Sequence, residues 1–373
     1  MWILIMLAMA LATVLSIVYL TSRFYKFFFI KQIAGDKKVK RILLSFFPVI
    51  LILGISWLSI GMMNAMIILI HLMVIWFICD IVNYFVRKKW KREFKRYSAG
   101  AFALGITLVY LGTGWYLAHQ VWRTVYALET EKAAGNLRIV QIADSHVGTT
   151  FDGEGFKKHI EKMQEEEPDV VVVTGDYVDD DTSKEDMETA CQALGSIKTT
   201  YGVYFAFGNH DKGYYGSEYR GYSGDDLVVE LEKNGVTVLQ DESVLLDNRV
   251  YIIGRQDRSA GSSRMEMDEL VKDLDKSKYM VVLDHQPHDY DAQEASGVDL
   301  VLSGHTHGGQ LFPINYVGEW TKENEKTYGL IKRQNTNFIV TSGISDWAIK
   351  FKTGCKSEYV VVDIKGSKLS SGN

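Results

Sequence analysis

The chain has 373 residues, enough for two or three domains at roughly 100–200 residues each. With 47% hydrophobic and 23% charged residues, 4 Pro and 3 Cys, its composition excludes intrinsic disorder, a collagen-like repeat and a disulfide scaffold. The net charge of −5 hides a sharp division: residues 1–128 carry 15 Lys and Arg against 3 Asp and Glu, a net of +12, and the rest carries −17.

Four apolar stretches fill the basic part, at 2–20, 42–62, 64–86 and 99–121. Each is close to the ~20 residues a helix needs to cross a ~30 Å hydrocarbon core. Ala8-Met9-Ala10 resembles a signal cleavage site, but Arg23 and Lys26 follow the first stretch and no basic residue precedes it, so we read it as a helix that stays. His71 and Asp80 interrupt the third stretch. We expect His71 to pack between helices and Asp80 to lie near the headgroups, in preference to a proton relay. The segment 21–41 holds Arg23, Lys26, Lys31, Lys37, Lys38, Lys40 and Arg41, and 87–98 holds Arg87, Lys88, Lys89, Lys91, Arg92, Lys95 and Arg96. Basic loops stay in the cytoplasm. The expectation is a multi-pass cell-membrane protein whose chain after about residue 122 is extracytoplasmic. A linker is expected at 123–136, a domain at 137–366 and a tail at 367–373. Cys79, Cys191 and Cys355 allow at most one disulfide beyond the membrane and leave the redox compartment open.

From residue 137 the pattern changes to short β-branched runs ending in polar clusters. Strands are expected at 137–143, 169–174, 203–207, 237–239, 279–284, 299–303, 337–341 and 358–364, with a hairpin over 243–254 broken at Asp247-Asn248. Helices fall near 155–166, 186–196 and 225–234. The early alternation gives parallel βαβ units, and about ten strands call for two packed sheets.

Ligands in such folds bind beyond the carboxyl ends of strands. Five strands here run into Asp144-Ser145-His146, Gly175-Asp176-Tyr177-Val178-Asp179, Gly208-Asn209-His210-Asp211, Asp284-His285-Gln286-Pro287 and Gly304-His305-Thr306-His307-Gly308-Gly309-Gln310. Of the 9 His in the chain, 5 fall in these clusters, which is far from a scattered distribution. Carboxylates, imidazoles and one amide without a thiolate make a mixed site for hard or borderline divalent metals. In Asp144-x-His146 and His305-x-His307, the two-residue period of an extended chain is expected to aim both side chains one way.

In this order the clusters resemble the calcineurin-like metallophosphoesterase superfamily, over roughly residues 137–364. The four preceding helices are similar to its bacterial membrane-anchored branch. The resemblance implies a four-layer α-β-β-α sandwich and two divalent metal ions, Mn, Fe or Zn. Asp144, His146, Asp176 and His307 would hold the first metal. Asp176, Asn209, His285 and His305 would hold the second, with Asp176 shared. His210 is then implied to protonate the leaving oxygen or stabilise charge.

Two cations about 3.5–4 Å apart clamp an in-line displacement, with a bridging hydroxide as the natural nucleophile. Asp211 is expected either to orient His210 and keep it cationic or to cap the turn. Lys212 to Asp226 is a Gly/Tyr-rich lid or a solvated loop. Arg255 and Arg258 are placed to bind a second phosphate, or belong to a solvated loop.

The leading expectation is a membrane-anchored metal-dependent phosphoesterase acting on a phosphorylated small-molecule or lipid substrate, a lipid-linked or envelope phosphoester or pyrophosphate. One alternative is a nucleotide-lipid hydrolase similar to UDP-diacylglucosamine pyrophosphatase; another is a metal-binding membrane sensor without turnover. Nucleic acid is not expected as a partner, because the C-terminal part carries −17 and no basic stripe.

Overall fold

The computed structural model describes residues 2–90 and 97–367, so Lys91, Arg92, Lys95 and Arg96 of the second basic segment and residues 368–373 of the tail lie outside the described residues. The chain forms two units, Met1–Trp115 with Ala348–Lys350, and Tyr116–Trp347 with Phe351–Asn373.

The helical unit contains α1 (Trp2–Phe24), α2 (Phe28–Ala34), α3 (Lys38–Ile60), α4 (Met62–Trp90) and most of α5 (Ser98–His119). Among the described residues, α1, α3, α4 and α5 are long and apolar enough to cross a membrane. Their outward faces carry Leu11, Val18, Phe47, Leu58 and Leu108, all exposed. That surface is costly in water and ordinary in lipid. The seven-residue α2 inside the first basic segment was not expected. His71 Nδ1 lies 2.8 Å from the Ile67 carbonyl, and its ring faces Tyr110. Asp80 pairs with Arg23 and accepts from the Tyr19 and Tyr97 hydroxyls, so both residues are absorbed by packing.

The second unit is built on two six-stranded sheets. One runs β1 (Trp122–Glu129), β12 (Glu358–Lys365), β2 (Asn136–Ile142), β3 (Val170–Thr174), β4 (Val203–Ala206) and β5 (Val236–Val238) in spatial order. The other runs β10 (Gly329–Arg333), β11 (Thr336–Val340), β9 (Leu300–Ser303), β8 (Tyr279–Leu283), β7 (Val250–Gly254) and β6 (Glu242–Leu246). β2 through β5 are parallel, as are β7, β8, β9 and β11, while β6–β7 is the expected antiparallel hairpin.

The two-residue period sorts each strand between two cores. Ile139, Val172, Ala206 and Val362 of the first sheet meet Ile252, Val281, Leu302 and Ile339 of the second in one buried cluster. Their neighbours Val140, Val171, Phe205 and Val361 face α6 (Gly153–Gln164), α7 (Lys184–Ser196) and α9 (Gly224–Lys233). On the far side, Ile253, Val282, Val301 and Phe338 pack with α10 (Met267–Leu270) and α11 (Tyr290–Ala295). The result is the expected α-β-β-α sandwich. Helix starts follow side-chain caps: Asp152 accepts from Gly155 N, Ser183 from Asp186 N, and Ser223 with Asp226 closes a capping box.

Strand β1 takes up residues 123–129 of the expected linker 123–136. β1 pairs with β12 over eight residues and alternates half-buried and exposed side chains, as an edge strand does. Its charged Arg123 and Glu129 disguise it in the sequence.

Candidate metal centre

β2, β3, β4, β8 and β9 end on one rim, and each delivers a polar cluster to it. Asp144, His146 and His307 form one group and Asp176, His285 and His305 another, with the offered donor atoms of each group within 4.8 Å of one another. Asp176 joins the two: its Oδ2 is 3.1 Å from His285 Nε2 and 3.8 Å from His146 Nε2. The shorter contact lacks hydrogen-bond geometry, which is how two donors aimed at a shared third body look. Asn209 reaches the rim from the β4 end, next to His210, whose backbone N donates to Asp176 Oδ1 at 2.8 Å.

Asp144 Oδ2, His146 Nε2, Asn209 Oδ1, His285 Nε2 and His305 Nδ1 are buried without a hydrogen-bond partner. Each such atom costs about 1–3 kcal/mol unless a ligand meets it. Five in one place fit a cationic guest, and the all-N/O donor set fits a divalent metal. The remaining ring nitrogens are held from behind: His146 Nδ1 by Asp179 Oδ2 at 3.0 Å, His285 Nδ1 by the Thr174 carbonyl at 2.8 Å, and His307 Nδ1 by the Ser345 carbonyl at 3.3 Å. Such contacts fix the tautomer and leave Nε2 as the donor. Burial pushes Asp144 up and His305 and His307 down. Burial also works to raise Asp176, but the charge of the neighbouring His285 imidazole holds it well below the usual carboxylate range.

The convergence does not come from extended backbone, as expected for the two x-spaced pairs. Asp144, His146, Asp176, His305 and His307 all have positive φ, between 36° and 71°. Non-glycine residues adopt this region rarely and at a cost of about 1–3 kcal/mol each, typically at functional sites. The turns send His305 and His307 to different groups. Gly208 lets the β4 loop close onto Asp176, because a Cβ there would stand 2.2 Å from Asp176 Oδ1.

A family model of the calcineurin-like phosphoesterases matches residues 137–309. An uncharacterized metallophosphoesterase of Aquifex aeolicus is 33% identical over 250 residues, covering 65% of this chain and 90% of that protein. The chain belongs to the calcineurin-like metallophosphoesterases. An uncharacterized metallophosphoesterase of Campylobacter jejuni is 31% identical over 239 residues, 62% of this chain and 60% of that protein. A Danio rerio protein described as a transmembrane protein with a metallophosphoesterase domain is 29% identical, over 63% of this chain and 54% of its own length. The metallophosphoesterase thus spans a little over half to nine-tenths of these relatives. A solved dimetal phosphatase from Danio rerio covers 61% of this chain and 93% of its own at 12% identity, with a TM-score of 0.39. In line with the transmembrane description of the first Danio rerio protein, this chain has four helices, among the described residues, that are long and apolar enough to cross a membrane.

His210 lies at the rim of the metallophosphoesterase, its ring 5.1 Å from His146 and 5.0 Å from both Tyr214 and Trp347. Burial pushes its pKa down. Asp211 does not orient it. The Asp211 carboxylate is wholly buried and accepts from the backbone N–H groups of Asp176, Tyr177, Val178 and Gly208 at 2.7–3.1 Å. Of the two expected roles, the turn cap is the one the geometry bears, because four donors leave no oxygen for an imidazole. Arg255 is likewise not a phosphate ligand: it is buried and paired with Asp284 at 3.2 Å and Asp289 at 3.1 Å. Arg258 stays exposed, against His288 Nε2 at 2.7 Å.

The 212–226 segment includes the short helix α8 (Ser217–Arg220) and splits in two. Tyr214, Tyr215 and Tyr219 are exposed, whereas Tyr222 and Arg220 are buried, with Arg220 donating to the Asp211 carbonyl at 2.7 Å. The supporting contacts of Asp179, the Thr174 and Ser345 carbonyls and Tyr214 escaped the sequence reading, although Asp179 lies in the second cluster and Tyr214 in the Tyr-rich segment. The Tyr214 hydroxyl accepts from Asn209 Nδ2 at 2.8 Å, which turns Oδ1 toward the rim. Asp179 belongs to the visible Gly-Asp-x-x-Asp run, so it had a signal; the two carbonyls had none. Cys79, Cys191 and Cys355 are free.

Proposed function

We propose that the chain is a membrane-anchored phosphoesterase with a two-metal centre, hydrolysing a phosphoester or pyrophosphate of a lipid-linked or cell-envelope substrate outside the cytoplasm. The observation that carries this reading is the set of five buried, unpartnered donor atoms, one on each of five of the seven side chains that face one rim. Asp144, His146, Asp176 and His307 would hold one ion, and Asp176, Asn209, His285 and His305 the other. Divalent ions bound there supply Lewis acidity, polarising the phosphoryl group and lowering the pKa of water. Asp176, reaching both groups, sets the spacing. Asp179 and the Thr174 and Ser345 carbonyls keep the imidazoles turned inward. His210, the rim histidine outside both groups, is placed to meet the phosphoryl charge or hand a proton to the leaving oxygen from a ring nitrogen.

The outward placement of the catalytic unit is supported by the basic segments at 21–41 and 87–98, which the positive-inside rule assigns to the cytoplasm. Protease added to intact spheroplasts should cut the catalytic unit; full protection would reverse the topology. Full-length protein stripped by a chelator should hydrolyse bis(p-nitrophenyl) phosphate only after Mn²⁺, Fe²⁺ or Zn²⁺ is restored. Metal-independent turnover, or none with any of the three, refutes the two-metal reading.

A further inference from the structure

Directly after the His305-Thr306-His307 turn, the chain presents an apolar ridge. Phe312, Ile314, Tyr316, Val317 and Trp320 are all exposed, Trp320 to 71%. Tyr316 and Trp320 stack, with ring centroids 6.2 Å apart. The ridge stands on a fixed base. Leu311 and Asn315 are buried, Phe312 N donates to Thr353 Oγ1 at 3.0 Å, and the Gln310 carbonyl accepts from Thr353 N at 2.8 Å and Gly354 N at 3.0 Å. Gly309 approaches so closely that a Cβ there would meet the Asn315 carbonyl oxygen at 2.3 Å. Core-forming side chains held outward by a pinned backbone mark a contact surface.

We infer that residues 312–320 dock on the lipid bilayer and present the adjoining metal rim to phosphoesters at headgroup depth. Two observations favour lipid over another occupant. α5 ends at His119 and β1 begins at Trp122, so only Gln120 and Val121, at most about 11 Å of extended chain, separate a helix of membrane-crossing length from the sheet. The catalytic unit never leaves the bilayer's neighbourhood, so a lipid surface is its most concentrated apolar partner. The chemistry also fits: Trp, Tyr and Phe with two aliphatic residues make the set that partitions to the membrane–water interface. The substrate class that follows is a phosphodiester or pyrophosphate whose lipid tails remain in the membrane during attack. This substrate half rests on the phosphoesterase reading; the docking half does not.

Both halves are testable on the full chain reconstituted in vesicles of phosphatidylcholine and phosphatidylglycerol. With p-benzoylphenylalanine in place of Trp320, illumination should yield a phospholipid adduct by mass, and the same probe in place of Lys157 on α6 should not. An adduct between two chains, or no adduct at position 320, overturns the docking. Separately, a Phe312→Glu, Trp320→Glu double variant should keep wild-type turnover of soluble bis(p-nitrophenyl) phosphate. It should lose at least about ten-fold on a dioleoylglycerol p-nitrophenyl phosphodiester carried in the vesicles, because interfacial anchoring is removed. Equal retention on both substrates overturns the inference. Turnover of neither by the wild type defeats the phosphoesterase reading, and the adduct then decides the docking alone.

Discussion

Each unit contains a cluster of polar side chains set among apolar ones, and these two clusters are finished differently. In the helical unit Asp80 accepts from Tyr97 at 2.7 Å and Tyr19 at 3.1 Å and pairs with Arg23 at 2.6 Å, while Trp76 donates to the Tyr97 hydroxyl at 2.7 Å. Both carboxylate oxygens are spent, and Arg23 Nε, held by the Asp80 ion pair, is without hydrogen-bond geometry. At the rim of the catalytic unit, by contrast, five donor atoms face one another with nothing to accept them. A completed network of buried polar groups fixes a packing arrangement; an incomplete one costs several kcal/mol and is tolerable only where a ligand completes it. The accounting of lone pairs, more than the identity of the residues, separates structural polar clusters from binding ones.

The largest effect should come from removing a donor at the incomplete cluster. Asn209→Ala or His307→Ala should cost a thousand-fold or more, ~10³, in metal-stimulated turnover, since losing a ligand displaces the charge that stabilises the transition state. Metal content by elemental analysis should fall in the same variants. Asp80→Asn, which edits the complete cluster, should leave turnover within about two-fold of wild type. If Asp80→Asn lost metal or activity as His307→Ala does, the distinction drawn here between the two clusters would collapse.

Asp211 tests the same rule inside the catalytic motif. Gly208-Asn209-His210-Asp211 sends Asn209 and His210 to the rim and turns Asp211 inward, onto four backbone donors. Asp211→Ala strands those N–H groups and should cost about 3–5 kcal/mol, lowering the melting temperature of the catalytic unit by many degrees. Asp211→Asn should recover part of it. An orienting partner of His210 would behave otherwise: stability would hold and the pH–rate profile would move.

The sandwich was legible because buried parallel strands announce themselves as β-branched runs, as in Val170–Val173, and because the metal-facing clusters follow those runs immediately. β1 and β10 were not, since edge strands carry charges such as Arg123 and Lys332 that read as loop. At the site, the clusters and the family resemblance they carry implied seven ligands, six of which the fold gathers into two groups. Whether a given lone pair is already spent depends on tertiary neighbours, so Asp211 and Arg255 looked functional in sequence and are structural in the fold. The turn geometry was misjudged for a related reason: a strand's two-residue period stops where the strand stops, and left-handed residues take over.

A smaller effect should come from a contact that aims a donor without being one. Tyr214→Phe removes the hydroxyl that accepts from Asn209 Nδ2 and leaves the ring against His210. The amide is then free to turn Oδ1 away. Contacts of this kind are worth about 10–100-fold in metal affinity, and the lower figure suits an exposed tyrosine. Metal titration monitored by calorimetry should show one of two sites weakened, with the melting temperature of the metal-free protein unchanged. Equal weakening of both sites, or of neither, would mean that Tyr214 does not set the amide.

The smallest effect marks the far end of the comparison, where a polar cluster is complete but wet. Glu166 pairs with Arg123 at 2.6 Å and accepts from the Tyr359 hydroxyl at 2.8 Å, and Arg123 is half exposed. Partial burial works to raise the Glu166 pKa, and the hydrogen bonds from Arg123 and Tyr359 outweigh it, holding the carboxyl below its usual value. A depressed folded-state pKa means stability that is present above the unfolded value, near 4.3, and lost as pH falls through the folded one. Glu166→Gln should therefore cost under about 1 kcal/mol at pH 7, given solvent screening, and less at pH 3, where the wild type has begun to lose the same contribution. Thermal melts of the two proteins at both pH values would measure it. A larger loss at pH 3 than at pH 7 would invert the sign and assign the stabilisation to packing of the side chain rather than to its charge.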